Sequence, residues 1–326
     1  MKVRYLAAMH KKLFLLLFFL SYVPSLWAAE IKNEPILPLN LPLDSNPKLI
    51  ALGDQLFHDR RLSRDNSLSC ASCHLLSSGG TDRKPRSTGV GGVMGGIKAP
   101  TVYNSSFNLA QFWDGRADNL VIQAEGPVHN PVEMNSSWPE VISKLSRDAA
   151  MVEAFGQLFS DGITGKNIAI AIAAFEQTLV TVNSRFDRWL TGEQILNERE
   201  LRGYRLFKSY GCISCHQGAN VGGNMYSYMG AKGDYFKDRN SEITQADYGR
   251  YNVTGHEDDK HYFKVPSLRL AAINSPYFHD GSVENLDEAI RVMGRYQLGR
   301  EIPDDDIRDI IAFLHTLVGE HNRFKP

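Results

Sequence analysis

Apolar positions recur at helical spacing over much of the chain. The stretch from Ile168 to Leu179 is rich in them and predicts a helix. Over Asp304 to Leu317, Ile307, Ile310, Ile311 and Leu314 mark one face of another helix, and its Asp-rich start suits the positive end of the helix dipole. Two more amphipathic stretches share a string, Gly53-x-x-Leu56-Phe57 and Gly203-x-x-Leu206-Phe207, and both read as helices. The Gly-rich segments 89–96 and 218–233 interrupt the pattern and are expected to be loops, because runs of glycine destabilise helix and strand alike. The chain therefore predicts an all-α protein with long loops.

The first 28 residues follow a different pattern. Lys2, Arg4, Lys11 and Lys12 flank or precede the apolar run Leu13 to Leu20, no acid is present, and Pro24 and small residues lead up to Ala28. That order is a secretory signal, with cleavage expected after Ala28 or Ala29. The uninterrupted apolar run is short of the roughly 20 residues a membrane-spanning helix needs. The chain has 36 Lys plus Arg against 37 Asp plus Glu, and loss of the four leader cations leaves 32 against 37. An exported, mildly acidic protein follows, with no basic excess for binding nucleic acid.

Export makes the cysteines informative, since an even number in an oxidising compartment ordinarily suggests disulfides. Here all four fall in two strings, Cys70-Ala-Ser-Cys73-His74 and Cys212-Ile-Ser-Cys215-His216. CxxCH is the attachment site of c-type haem, in which two thioethers bind the vinyl groups and the adjacent His coordinates iron. A four-thiolate zinc site needs no His after each pair, and a thioredoxin-like redox pair need not occur twice. The residues read as a dihaem cytochrome c.

The flanks of the two sites repeat as well. Ala99-Pro100-Thr101 leads to Trp113-Asp114-Gly115, and Val265-Pro266-Ser267 leads to His279-Asp280-Gly281, with 13 residues from each Pro to the residue before Asp-Gly. This predicts a tandem duplication: a leader at 1–28, one cytochrome-c-like haem domain at 29–190 and a second at 191–326. With a proximal His on each haem, function turns on the sixth iron position: a Met or His there makes an electron-transfer centre, and a vacancy admits peroxide or oxygen. The residues alone leave Met94, Met134, Met225, Met229 and Met293 open as ligands, with His58, His129, His256, His261, His279 and His315.

The strings Ala99-Pro-Thr-Val-Tyr-Asn, Ala110-Gln-Phe-Trp-Asp-Gly-Arg116, Gln123-Ala-Glu-Gly-Pro-Val128, Val132-Glu-Met134, Ser275-Pro-Tyr-Phe-His279, Val292-Met-Gly294 and Gln297-Leu-Gly299 carry a family resemblance. With the two CxxCH sites, the chain resembles the bacterial dihaem cytochrome c peroxidases, whose superfamily includes MauG, over nearly all of the sequence after the leader. The resemblance implies a peroxidatic N-terminal haem with His74 as proximal ligand, and an electron-entry C-terminal haem with His216 and Met293 as its axial pair. A neutral thioether ligand raises the potential, as that role requires. Trp113 matches the tryptophan between the haems, Glu133 the acid above the peroxidatic haem, and Gln123 the neighbouring amide. O–O heterolysis needs a proton taken from one peroxide oxygen and delivered to the other, which a carboxylate in a mostly apolar pocket can do.

Two departures from the family pattern bear on mechanism. Many members carry a His in the Gly-rich loop that caps the peroxidatic iron until the other haem is reduced; Val90 stands there, and valine cannot ligate iron. The first haem is therefore expected to be open without reductive activation, with Met94 as the substitute cap to consider. The family also binds calcium between the lobes, through an Asn side chain and backbone carbonyls. Lys98 stands at the Asn position, with Asn274 and Pro276 at the carbonyl positions, so calcium is doubtful and the Lys98 ammonium is expected to serve those carbonyls instead.

The resemblance implies a periplasmic peroxidase that reduces hydrogen peroxide with single electrons from a small cytochrome c or cupredoxin, and a homodimer. Two other functions stay open. One is a MauG-like oxidation of residues in a partner protein, although MauG has a Tyr where Met293 stands; the other is pure electron transfer.

Overall fold

A computed structural model describes residues 33–41 and 46–324; the expected leader at 1–28 lies outside the described residues. The helices that carry the core are α1 (Pro47–Phe57), α2 (Leu120–His129), α3 (Gly165–Glu176), α4 (Arg185–Leu190), α5 (Glu198–Tyr210), α6 (Leu286–Val292) and α7 (Asp304–Thr316). Their starts follow capping chemistry. The Asn46 side chain accepts from the Lys48 amide with Pro47 in the first turn of α1, Thr164 caps α3 through the Asn167 amide, and Asn197 with Glu200 forms a capping box on α5.

The helix expected at 168–179 runs instead from Gly165 to Glu176. Its cap lies upstream of the apolar pattern. At the other end Leu179 stays buried but has left the helix, and its carbonyl accepts from the Asn104 amide. The helix expected at 304–317 ends one residue sooner, with Leu317 as its C-cap. Segment 218–233 is not all loop. Tyr226–Tyr228 forms β1, antiparallel to β2 (Tyr262–Lys264) with Tyr226 opposite Lys264, because a Tyr-Ser-Tyr tract between glycines favours extended backbone. Segment 89–96 folds back on itself through Gly89 N–H to Val93 O and Gly95 N–H to Ser87 O, as a loop should.

Two helix crossings organise the two main cores. At Gly53 on α1 a Cβ would lie 1.9 Å from Ala171 O of α3, and at Gly203 on α5 it would lie 1.8 Å from Asp309 O of α7. Only glycine permits either approach. The first core gathers Leu52, Leu56 and Phe57 with Ile168, Ile172 and Phe175, and Cys70 packs against it. The second gathers Tyr204 and Phe207 with Ile307, Ile310 and Phe313, and Cys212 packs against it. Chain crosses between them: Leu270 and Phe324 belong to the first core, Ile36, Phe186 and Leu190 to the second. Fully buried Arg269 ties α4 to this arrangement, through two bonds to Asp187 and others to Leu37 O and Ala219 O.

Between the cores lies a reciprocal joint. Lys98 N–H donates to His279 O at 2.8 Å, and Lys264 N–H donates to Trp113 O at 2.9 Å. Gln111 N–H bonds Ala117 O just as Tyr277 N–H bonds Val283 O, and Phe112 and Phe278 share a φ of +67°. Such a backbone is costly for an aromatic residue, so these tight turns are held by their surroundings. Among the described residues no helix is long and apolar enough to cross a membrane.

Candidate active site

Both CxxCH strings fold to the same design. In the first, Cys70–Cys73 is one helical turn, begun by a capping box between Ser69 and Ser72, and the His74 amide closes it on Cys70 O. In the second, α5 ends at Gly211 in the left-handed region, Cys212–Ser214 turns, and the His216 amide bonds Cys212 O. His74 Nδ1 lies 3.3 Å from Gly80 O, and His216 Nδ1 lies 3.3 Å from Val221 O. Each carbonyl fixes the tautomer and leaves Nε2 for a metal. Burial lowers the pKa of both imidazoles, that of His216 to about 4, so each is neutral as a ligand must be. Gly222 has a φ of +127°, and a Cβ there would lie 2.3 Å from Pro266 O, so glycine is required beside His216.

The four cysteines are free, and the two pairs pack against different cores, so their sulfurs do not converge on one tetrahedral site. Burial pushes the Cys70 thiol well up and Cys212 up to about 11. Neither is a ready thiolate. Covalent capture by a haem vinyl fits these part-buried, protonated thiols and neutral imidazoles better than a bare metal does.

A cavity of about 320 Å³ opens on Cys212, Cys215 and His216. Met293 lines it from the end of α6, where it starts the π-helical turn Met293–Leu298, a local geometry common at functional sites. Trp113 lines the same cavity, donates from Nε1 to Lys98 O at 3.0 Å, and meets the His279 ring edge-on at 6.4 Å.

Glu133 follows α2 and is partly buried. Asn130 Nδ2 donates to its Oε1 at 2.6 Å, and the Glu133 charge raises the pKa of the Cys70 and Cys73 thiols, which sets it near the first CxxCH. Burial raises its pKa, against the Asn130 hydrogen bond and the Arg116 charge. Gln123 lies on α2, partly buried, and its side-chain amide bonds nothing among the described residues. The 89–96 loop is stitched onto this segment: Val90 N–H donates to Glu133 O at 2.8 Å, and a Cβ on Gly89 would meet Val132 O at 2.1 Å. Val90 is buried there, whereas Met94 is 64% exposed.

Lys98, Asn274 and Pro276 line the same cavity. The Lys98 ammonium reaches Ala99 O at 3.5 Å rather than the Asn274 or Pro276 carbonyls. Asn274 Nδ2 donates to Gly79 O at 2.9 Å, and its Oδ1 is buried without a partner.

Sequence reasoning missed two features. One is buried Lys264, which stands before Val-Pro-Ser as Lys98 stands before Ala-Pro-Thr; the repeat itself was the signal. The other is the set of partners behind His279. Its Nε2 lies 2.8 Å from Asp247 Oδ1, and Arg239 bridges Asp247 to Asp280. Burial alone would raise the Asp247 pKa, but His279 and Arg239 hold it well below the carboxylate range. No spacing announces a pairing between distant loops.

The family model for di-haem cytochrome c peroxidase matches residues 47–195. A cytochrome c peroxidase of Escherichia coli strain K12 is 48% identical over 91% of the chain, which spans 64% of that relative's length. A cytochrome c551 peroxidase of Nitrosomonas europaea is 47% identical over 90% of the chain and 86% of the relative. Among solved structures, a MauG-like protein associated with microbial copper homeostasis superposes with a TM-score of 0.76 at 28% identity, covering 88% of this chain and 94% of the other.

Proposed function

The chain belongs to the di-haem cytochrome c peroxidase family, and on that footing we propose that it reduces hydrogen peroxide to water with electrons from a small periplasmic cytochrome c or cupredoxin. Cys70, Cys73 and His74 would hold the first haem, and Cys212, Cys215, His216 and Met293 the second. When bound, the first supplies a peroxide-binding iron and the second accepts single electrons. The observation that carries this reading is the matched pair of part-buried, neutral imidazoles, each fixed by a backbone carbonyl beside two thiols.

The protein's own groups then divide the work. Asn130 occupies Glu133 Oε1, so Oε2 is the atom that takes a proton from one peroxide oxygen and returns it to the other. The unengaged Gln123 amide is available to orient the peroxide. Trp113 fills the joint between lobes, with its indole held by Lys98 O. Val90 offers no ligand atom, so the first site needs no prior reduction. Met94 does not cap it in this reading, in keeping with its exposure.

A tandem duplication into domains 29–190 and 191–326 is supported by the two glycine crossings and the reciprocal joint. Calcium is doubtful at Asn274 and Pro276, because the buried Lys98 ammonium lines the same place. Export through the leader and a homodimer complete the proposal. The missing cap and the likeness to a MauG-like structure favour one second reading, oxidation of residues in a partner protein. Mass and pyridine haemochromogen analysis should find two covalent haems, and peroxide should be consumed over many turnovers with a reduced monohaem cytochrome c. Sluggish consumption by the two-haem protein would favour the partner-oxidising reading.

A further inference from the structure

Lys98 and Lys264 are 5% and 8% exposed, and both line the cavity that holds Cys212, Cys215 and His216. No described carboxylate forms a salt bridge with either one. Among the described residues the one hydrogen bond made by either ammonium is that of Lys98 Nζ to Ala99 O at 3.5 Å. Burial pushes both ammoniums down to about 8; for Lys264 it is the sole influence, whereas Lys98 also feels Asp82 and Arg83. Their positions are not accidents of flexible side chains, since the reciprocal joint pins both backbones: Lys98 N–H to His279 O, Lys264 N–H to Trp113 O. Lys264 has no counter-charge and Lys98 only Asp82 beyond salt-bridge reach; buried cations so placed are costly, so a cavity lined by both suits anions.

We propose that Lys98 and Lys264 are the counter-charges for the two propionate carboxylates of the porphyrin attached at Cys212 and Cys215. This rests on the assignment of that cavity to the second haem. The remaining walls, among them Phe263, Leu286, Ile290 and Ile310, suit an amphiphile whose body is apolar and whose anionic edge meets the two lysines. The pair then raises the reduction potential of the second haem, because each ammonium cancels a carboxylate charge that would otherwise favour ferric iron. Lys98 thereby serves an anion rather than the carbonyls of Asn274 and Pro276.

The test is spectroelectrochemical titration of holoprotein carrying K264Q, K98Q, K264R or K98R, with haem counted by pyridine haemochromogen. Each Gln variant should raise the ferric-to-ferrous ratio of the Met-ligated haem at fixed potential by about tenfold, equivalent to ~59 mV for a one-electron couple. Each Arg variant should restore the wild-type potential, which a merely structural role would not require. Gln variants with two haems and unchanged potentials overturn the proposal while leaving the peroxidase reading intact. A wild-type count below two haems overturns the peroxidase reading with it.

Discussion

At the scale of single residues, the behaviour of Glu133 follows from its burial. A raised pKa means that the carboxyl gives up its proton at higher pH than a free Glu, so the form able to accept the peroxide proton accumulates as pH rises through that value. The acid limb of the turnover profile should therefore lie above pH ~4.3, the ordinary value for Glu. E133Q should lower kcat by roughly 10²–10⁴-fold, and any residual activity should lose that limb. Steady-state kinetics over pH would read both. The Asp187–Arg269 pair supports a different expectation. Removing Asp187 leaves a fully buried guanidinium without its carboxylate, so Asp187→Ala should cost about 3–5 kcal/mol in chemical denaturation. The candidate haem-attachment strings were legible because their chemistry is local, Cys-x-x-Cys-His in one string. Asp247 and Arg239 were not, because their roles arise only when distant loops meet, whereas the repeat marks the place of Lys264.

At the scale of elements, the two glycine crossings and the 89–96 loop carry the predictions. Gly203→Ala should force α5 away from Asp309 O and cost about 1–3 kcal/mol, read as a lowered Tm, while haem attachment is retained. In the loop, Val90 is buried and its amide is bonded to Glu133 O, so a side chain there faces an environment shared with the first site. Val90→His should restore a cap and make the reaction with peroxide depend on prior reduction, read by stopped-flow absorbance with and without reductant. Periodicity placed the α3 and α7 helices well because their buried faces repeat. It failed at the ends of α3, where Thr164 and the Leu179 carbonyl act through hydrogen bonds, and at β1, where a short tyrosine tract pairs with β2.

At the scale of the whole molecule, the two main cores meet at a joint in which each side supplies a lysine amide that donates to the carbonyl before the other's Asp-Gly. Trp113 and His279 face each other across it, and both line the cavity on the second CxxCH. In the proposed function, electrons arriving at the second site would leave it toward the first by way of these packed aromatic rings. If the first site is uncapped, as proposed, the fully oxidised protein is already competent. The direct measurement is to add one equivalent of hydrogen peroxide to the fully ferric two-haem protein, without reductant, and follow the visible and near-infrared spectrum. An immediate change in the ferric spectrum is expected. Silence until one haem has been reduced would contradict it and return the cap to the 89–96 loop.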